Sequence, residues 1–192
     1  SNENTGGQWK SWQKYVRKFD NKRAVEHSQF PEFNLPQRLL HVARSSSDVY
    51  RFFEKYTNHE FLSVDIEAIE NIPVCISFAF TINEGFCAPL WNTLPIKCHN
   101  AAHPKKSYSN NLKISSIPSG DLAFCWQIIA KVLLNKKYKI IGQNFKYDED
   151  KLNSLGFYIH SLYWDTQIGS HCRSSEMPKG LAFNTSVDTL EP

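Results

Sequence analysis

Three carboxylates and their spacing open the chemical reading of this sequence. Asp65 and Glu67 stand two residues apart at the end of an apolar run, Phe61-Leu62-Ser63-Val64-Asp65-Ile66. On a β-strand that spacing sends both side chains to one face. Two like charges side by side repel, and burying unpaired carboxylates is costly, so a bound cation would relieve both problems. A donor set of oxygen alone favours a hard ion, Mg²⁺ or Mn²⁺. Taken by itself the pair has a plainer reading, in which Glu67 begins a solvated turn and only Asp65 is constrained. The third carboxylate, Asp148, closes Gly142-Gln143-Asn144-Phe145-Lys146-Tyr147-Asp148, a stretch that follows a strand and opens a helix. Its plain structural reading makes Asn144 an N-cap and Asp148 a first-turn acid favoured by the helix dipole.

Other constellations are weaker. Cys98, His99 and His103, joined by Cys172 or His171 from afar, offer soft ligands. Structural zinc sites carry paired spacing at both ends and only one half is present here, so the stretch reads as a polar loop. The chain has no G-x-S-x-G nucleophile turn and no Gly-rich phosphate loop of the Walker type.

Taken together, the carboxylate stretches resemble the 3′–5′ proofreading exonuclease domain of family A DNA polymerases of phage or bacterial type. That domain falls within the ribonuclease-H-like DEDD exonuclease superfamily. Val64-Asp65-Ile66-Glu67 is similar to the first exonuclease motif. Gly142 to Asp148 resembles the second, G-Q-N-x-K-Y-D, at every fixed position, and Trp164-Asp165-Thr166 is similar to the D-T that begins the next helix. The resemblance covers about residues 47 to 190. It implies an α/β fold, with a ribonuclease-H-like mixed central sheet and helices on both faces. It also implies that Asp65, Glu67 and Asp148 are three of four metal-binding catalytic carboxylates. Two divalent cations, Mg or Mn, about 3.5–4 Å apart would hold the scissile phosphate. One would acidify a bound water and the other would stabilise the leaving 3′ oxygen. Asn144, Lys146 and Tyr147 would contact the single-stranded DNA 3′ end, Tyr147 by stacking worth roughly 1–3 kcal/mol per base. For Tyr147 the alternative is core packing. Asp165 and Thr166 read as structural, bracing the helix that follows.

The third motif of that family, Y-x-x-x-D or H-x-x-x-D, has no counterpart. No Tyr follows Asp165, and His171 has Ser175 four residues on. Asp188 lacks the preceding aromatic, and alignment places the motif some thirty residues beyond Pro192. The expectation is an exonuclease-like domain over 46–192 that stops before its third motif, preceded by an arm over 1–45. Its partner besides DNA would be the polymerase domain of the same longer chain. A missing metal carboxylate weakens such a site severely. The alternative is therefore a weak or inactive module that binds single-stranded nucleic acid or docks on a polymerase. A further rival is an RNA-trimming relative, although no residue here visibly reads a 2′-hydroxyl.

The elements that must position these groups follow from periodicity. Strands are expected over 61–66, 73–80 and 85–90, the last two joined through Asn83-Glu84-Gly85, with a fourth over 138–142. Helices are expected from Asp48, as a cap, for about ten residues, over 121–134, and over 147–155 with Gly156 at the C-cap. Residues 91–119 are polar and read as an irregular insertion. In the arm, Trp9, Trp12, Val16 and Phe19 share one face of a short helix, and two prolines keep 30–36 extended. With Phe30 and Phe33, these aromatics would pack back on the domain or mark a partner surface.

At 192 residues, 41% hydrophobic and 21% charged, the chain has the size and composition of one globular domain. It has no apolar run long enough to span a membrane and no signal peptide at Ser1 to Asp20. Five scattered cysteines without a C-x-x-C pair read as reduced thiols. The expected compartment is the cytoplasm of a bacterium, or of the host for a phage protein. The net charge of +3 is unevenly spread. Residues 61–96 carry four acids and no Lys or Arg, whereas 97–151 carry ten lysines against four acids. Metal-binding carboxylates beside a surface that draws in polyanions would give this pattern, and so would lysines on solvated helix faces.

Overall fold

Alternation of burial along one central strand organises the fold. The computed structural model describes residues 37–99, 107–175 and 177–188, together with seven scattered positions between 14 and 25. In chain order the elements are β1 (Leu39–Val42), α1 (Ser46–Lys55), β2 (Phe61–Ile69), β3 (Ile72–Thr81), β4 (Glu84–Pro89), β5 (Thr93–His99) and β6 (Ser107–Lys113). They continue with α2 (Ser119–Leu133), β7 (Lys139–Gly142), α3 (Phe145–Ser154), β8 (Leu162–Asp165), α4 (Thr166–Arg173) and α5 (Leu181–Asp188). Six strands form one sheet in the order β1-β4-β3-β2-β7-β8. The central β2 pairs antiparallel with β3 and parallel with β7, β3 pairs antiparallel with β4, and β1 lies parallel to β4. This is the mixed α/β architecture the sequence implied.

Leu62, Val64 and Ile66 of β2 are buried, whereas Phe61, Ser63, Asp65 and Glu67 face the other way and are exposed. The buried face meets α1. Phe52 stacks on Phe86 with centroids 4.6 Å apart, Phe53 stands edge-on to Phe78 at 5.0 Å, and Tyr56 stacks on Phe80 at 5.0 Å. Each fully buried side chain of this size contributes about 1.5–3 kcal/mol of transfer free energy. Helix α1 is joined to α2 by Asp121, whose carboxylate accepts from both the backbone N–H and the hydroxyl of Ser46.

The termini of α1 and α3 are set by local chemistry. Ser45, not Asp48, caps α1: its hydroxyl accepts from the Asp48 N–H at 3.2 Å, and Asp48 reaches back to the Arg44 N–H at 2.9 Å. The sequence offers both residues, and the reciprocal arrangement favours the hydroxyl residue three positions before the acid. At the far end of α3, Gly156 adopts φ +83°. Its N–H bonds Asn153 while the Phe157 N–H bonds Leu152, each at 3.0 Å, which is the Schellman closure. Leu152 and Phe157 are both core residues.

Residues 91–119, expected to be irregular, contain the antiparallel ribbon β5–β6, from Thr93 opposite Lys113 to His99 opposite Ser107. Leu94 is its one buried residue among the described side chains, and Pro95 inside β5 and the polar run of β6 argue against strands in the sequence. Strand β2 also runs past Ile66, so Glu67 belongs to the strand and does not begin a turn. The turn comes at Glu70-Asn71, with φ of 50° and 68°, the positive pair that suits the twist of a two-residue hairpin. Strand β1 lies within the stretch read as an arm. The aromatic residues Trp9, Trp12, Phe19, Phe30 and Phe33 and the extended segment 30–36 lie outside the described residues, as does most of the helix expected there.

By contact density the chain divides into two units, 38–164, and 165–192 together with 1–37. In the second, Asp165 caps α4, accepting from the N–H groups of Gln167 at 2.8 Å and Ile168 at 3.3 Å. The Ser170 hydroxyl donates to Asn184 at 2.8 Å, tying α4 to α5. Among the described residues no helix is long and apolar enough to cross a membrane.

Candidate active site

Strand β2 delivers the first two carboxylates. Asp65 stands opposite Ser77 of β3 and Glu67 opposite Cys75, and a bulge follows between Glu67 and Ala68. Bulges re-aim side chains and are frequent beside active sites. Asp65 holds its proton more tightly than an ordinary Asp. The sheet beneath it removes part of its water, the charge of Glu67 adds to the effect, and the Ile66 N–H opposes it. A carboxylate pair strained in this way has the oxygen donors and the unsatisfied negative charge that a hard divalent cation relieves.

Asp148 arrives on a different element. Strand β7 ends at Gly142, and the chain turns through Asn144 in the left-handed region, φ 53°, ψ 41°, before α3 begins. Asn is among the few non-glycine residues that tolerate this conformation. Asn144 therefore caps through its backbone position, without the side-chain capping bond expected from its type. Gly142 is required by packing: a Cβ there would lie 2.1 Å from Cδ2 of Phe145, whose ring is fully buried. Phe145, Asp148 and Leu152 form the buried side of α3, and Asp148 is only 5% exposed. A carboxylate in a first helical turn is favoured by the unsatisfied N–H groups and dipole of the helix.

The other side of α3 faces solvent. Tyr147 is 44% exposed, which excludes the core-packing alternative, and Lys151 lies 5.4 Å above its ring. Lys146 and Asn144 are exposed as well. Lys139, counted with the lysines able to attract a backbone, is already engaged. Its ammonium is 2.5 Å from Glu60 and sits over the rings of Phe61 and Tyr163.

Asp65 and Glu67 are therefore neighbours, and α3 touches β2 and β3. Among the described residues, however, no three His, Cys, Asp or Glu side chains converge as ligands of one ion. Asp148 is buried with Phe145 and Leu152 whereas Asp65 and Glu67 are exposed on β2, and three like charges have no reason to converge by themselves. The soft-ligand alternative is no better gathered. The side chains of Cys98 and His99, and His103 altogether, lie outside the described residues, and His171 and Cys172 are exposed on α4.

One feature of the site escaped sequence reasoning. A groove of about 380 Å³ crosses the face of the sheet that carries Asp65, running over Ser63, Ser77 and Cys87 to Leu40 and Val42. Its floor is made by side chains small enough to leave the sheet open. No sequence signal announces it, because it depends on the registers of three separate strand pairs.

No protein-family model matches this chain, and no curated protein sequence matches it. Solved structures do. The catalytic core of RRP6 from Trypanosoma brucei superposes with a TM-score of 0.53 at 15% identity, over 88% of this chain and 42% of that one. RNase D of Escherichia coli, an exoribonuclease involved in structured RNA processing, superposes with a TM-score of 0.51 at 11% identity, over 82% of this chain and 35% of its own. The chain thus spans well under half the length of these two structures. What these likenesses show is the fold, a mixed α/β, ribonuclease-H-like fold shared with those two structures.

Proposed function

We propose that this chain is a metal-dependent 3′–5′ exonuclease domain that hydrolyses phosphodiesters at a single-stranded DNA 3′ end and releases nucleoside monophosphates. In this reading it is the proofreading part of a longer chain that carries a polymerase domain. The observation that carries it is the adjacent pair Asp65 and Glu67 on the outward face of the central strand of a ribonuclease-H-like sheet. The G-Q-N-F-K-Y-D stretch supports it by setting Asp148 in the first turn of the helix that follows β7. Asp65, Glu67 and Asp148 would hold the divalent ions, whose chemistry is to activate water and neutralise charge at the scissile phosphate. Tyr147, with its ring in solvent, would stack on a terminal base. Lys146 and Asn144 would bind the phosphate and sugar beside it.

A second reading, a module that binds single strands without cutting them, draws on the failure of the described carboxylates to gather three to a site. RNA as the substrate is the third, and the likeness to RNase D, an exoribonuclease, supports it. One assay separates them. The protein is incubated with 5′-labelled single-stranded DNA or RNA and Mn²⁺ or Mg²⁺, beside Asp65→Ala and Asp148→Ala proteins and an EDTA control. A DNA ladder that both substitutions and EDTA abolish is the expected result. A ladder on RNA alone moves the assignment to RNA. Retarded DNA without any ladder supports the binding module, and a ladder that survives both substitutions overturns the site.

A further inference from the structure

The groove that carries Asp65 follows one row of the sheet. Asp65 stands opposite Ser77, Ser77 opposite Cys87, and Cys87 opposite Val42, so the row crosses β2, β3, β4 and β1. Three strand spacings of about 4.8 Å make it about 14 Å long. Strand β1 ends the sheet, and a second open pocket, of about 430 Å³, shares Leu40, His41, Val42 and Phe86 with the groove. The two therefore adjoin across the edge strand, where Leu40 and Val42 are exposed.

The second pocket is basic. Arg44, Arg51 and Lys55 line it against two acids, Asp48 and Glu84, with His41 in addition. Both acids are occupied. Glu84 pairs with Lys55, accepts from the Tyr56 hydroxyl and lies 3.3 Å from His41. Asp48 accepts the Arg44 N–H and belongs to the first turn of α1. Arg44 and Arg51 are exposed, and among the described residues neither guanidinium has an ion-pair partner. Arg51 also stands four residues before Lys55 on α1, a spacing that sets like charges side by side. Such crowding weakens a helix and suits a polyanion.

We propose that Arg44 and Arg51 hold the phosphodiester backbone of a single strand whose 3′ end lies at Asp65, the strand following the groove and rounding β1. The inference rests on the nuclease reading above and extends it from the terminal nucleotide to those upstream. A stacked strand advances about 3.4 Å per nucleotide, so about four nucleotides cover the row from Asp65 to Val42. Leu40 and Val42 offer the bases apolar contact without reading their identity. The two guanidiniums present to phosphate oxygens the planar fork that suits them. The grip is thus independent of sequence and confined to strands long enough to reach β1.

Binding in EDTA tests this, since its readout does not depend on cutting. A 5′-fluorescein-labelled twelve-nucleotide oligothymidylate is titrated with protein over a range of salt concentration, and anisotropy gives the affinity. Arg44→Gln combined with Arg51→Gln should make the plot of log affinity against log salt shallower by about 1.4, at about 0.7 per phosphate contact of a single strand. At about 0.1 M salt that is roughly a 25-fold loss, taking the contacts to vanish at about 1 M. Each single substitution should give half the change in slope, which keeps the test alive if the double variant misfolds. Lysine at both positions should keep most of the slope. Lys136→Gln with Lys137→Gln removes the same charge from the exposed turn before β7, at the end of the sheet where β2 begins, and should leave the slope unchanged. A two-nucleotide probe, too short to reach β1, should bind wild type and the arginine variant alike. An unchanged slope in the arginine variant, an equal loss in the lysine control, or an equal loss with the short probe would overturn the proposal. Arginine-insensitive binding beside a ladder in the cutting assay sinks this path and leaves the nuclease reading standing. Arginine-dependent binding without a ladder supports the path and sinks the cutting.

Discussion

The two faces of the central sheet are built from opposite kinds of side chain. On one, Leu62, Val64, Ile76 and Phe78 are sealed under the rings of α1. On the other, the intervening residues Ser63, Asp65, Cys75 and Ser77 are small or polar and line or adjoin an open groove. A single alternation of sequence writes both, since successive residues of a strand point to opposite sides. The sealed face is where stability is stored. The open face carries groups that a stability argument alone would replace, including neighbouring carboxylates that repel one another. Unfavourable local choices of that kind mark functional surfaces.

Substitutions can break this contrast. The largest effect is expected at Phe78, fully enclosed and edge-on to Phe53. Phe78→Ala should cost about 3–5 kcal/mol in denaturant unfolding, as large-to-small core changes do. Ser77→Ala, one residue along and on the open face, should stay within about 0.5 kcal/mol of wild type. Equal losses at the two positions would erase the distinction.

Gly142→Ala comes next. The new methyl would overlap the Phe145 ring, and overpacking of this kind costs about 1–3 kcal/mol. Trimming the ring with Phe145→Leu in the same chain should recover part of the loss, and a double-mutant cycle measures the coupling. Additive losses would mean that Gly142 is required for some other reason.

Glu84 sits at the edge where α1 meets β4 and gives a smaller, pH-dependent effect. It accepts from the Tyr56 hydroxyl at 2.6 Å and pairs with Lys55, with His41 at 3.3 Å. Lys55 first, then Tyr56, hold its carboxyl below the usual Glu range. A depressed folded value means that the stabilisation is present above the unfolded pKa, about 4.3 for Glu, and is lost as pH falls through the folded value. Glu84→Gln should cost about 1 kcal/mol at pH 7, the scale of a typical net hydrogen-bond contribution, because the amide oxygen can still accept from Tyr56. The gap from wild type should close at acidic pH, and melting curves between pH 7 and pH 3 check both points.

The smallest effect on stability is expected at Asp65. Asp65→Asn removes a charge that its burial and Glu67 both oppose. Its melting temperature should equal or exceed that of wild type, while exonuclease activity disappears. A clear drop in melting temperature would give Asp65 a structural role instead.

What the sequence made legible follows the same division. The cores of β2, β3, β4 and α2 were readable because each buries a regular apolar pattern. The close of α3 at Gly156 was marked by a residue type suited to positive φ, whereas its start lies at Phe145, two residues before the expected Tyr147, with Asn144 left-handed and not a side-chain cap. Strand β1 was not readable. Leu39, Leu40 and Val42 are apolar but exposed, Leu40 by 81%, and their order comes from parallel pairing with β4, more than forty residues away. The β5–β6 ribbon was hidden for another reason: Leu94, Ile96 and Cys98 do alternate in β5, but Pro95 within it and the polar run of β6 argue against strands. At the site, spacing placed Asp65 and Glu67 on one face of a strand, and only the family resemblance joined Asp148 to them as one ligand set. Neither could say that Asp148 would lie on the buried side of α3 with Phe145 and Leu152 while the pair on β2 is exposed. The groove depends on strand register, which no single segment encodes.

The most direct test of the metal site proposed at Asp65, Glu67 and Asp148 is a Mn²⁺ titration followed by electron paramagnetic resonance, with wild type, Asp65→Asn and Asp148→Asn compared. The account predicts saturable binding by wild type and a loss of about 10–100-fold in affinity for each variant, the scale of perturbing a metal site. Wild-type protein that leaves Mn²⁺ free, or variants that bind it as well as wild type, would contradict the account.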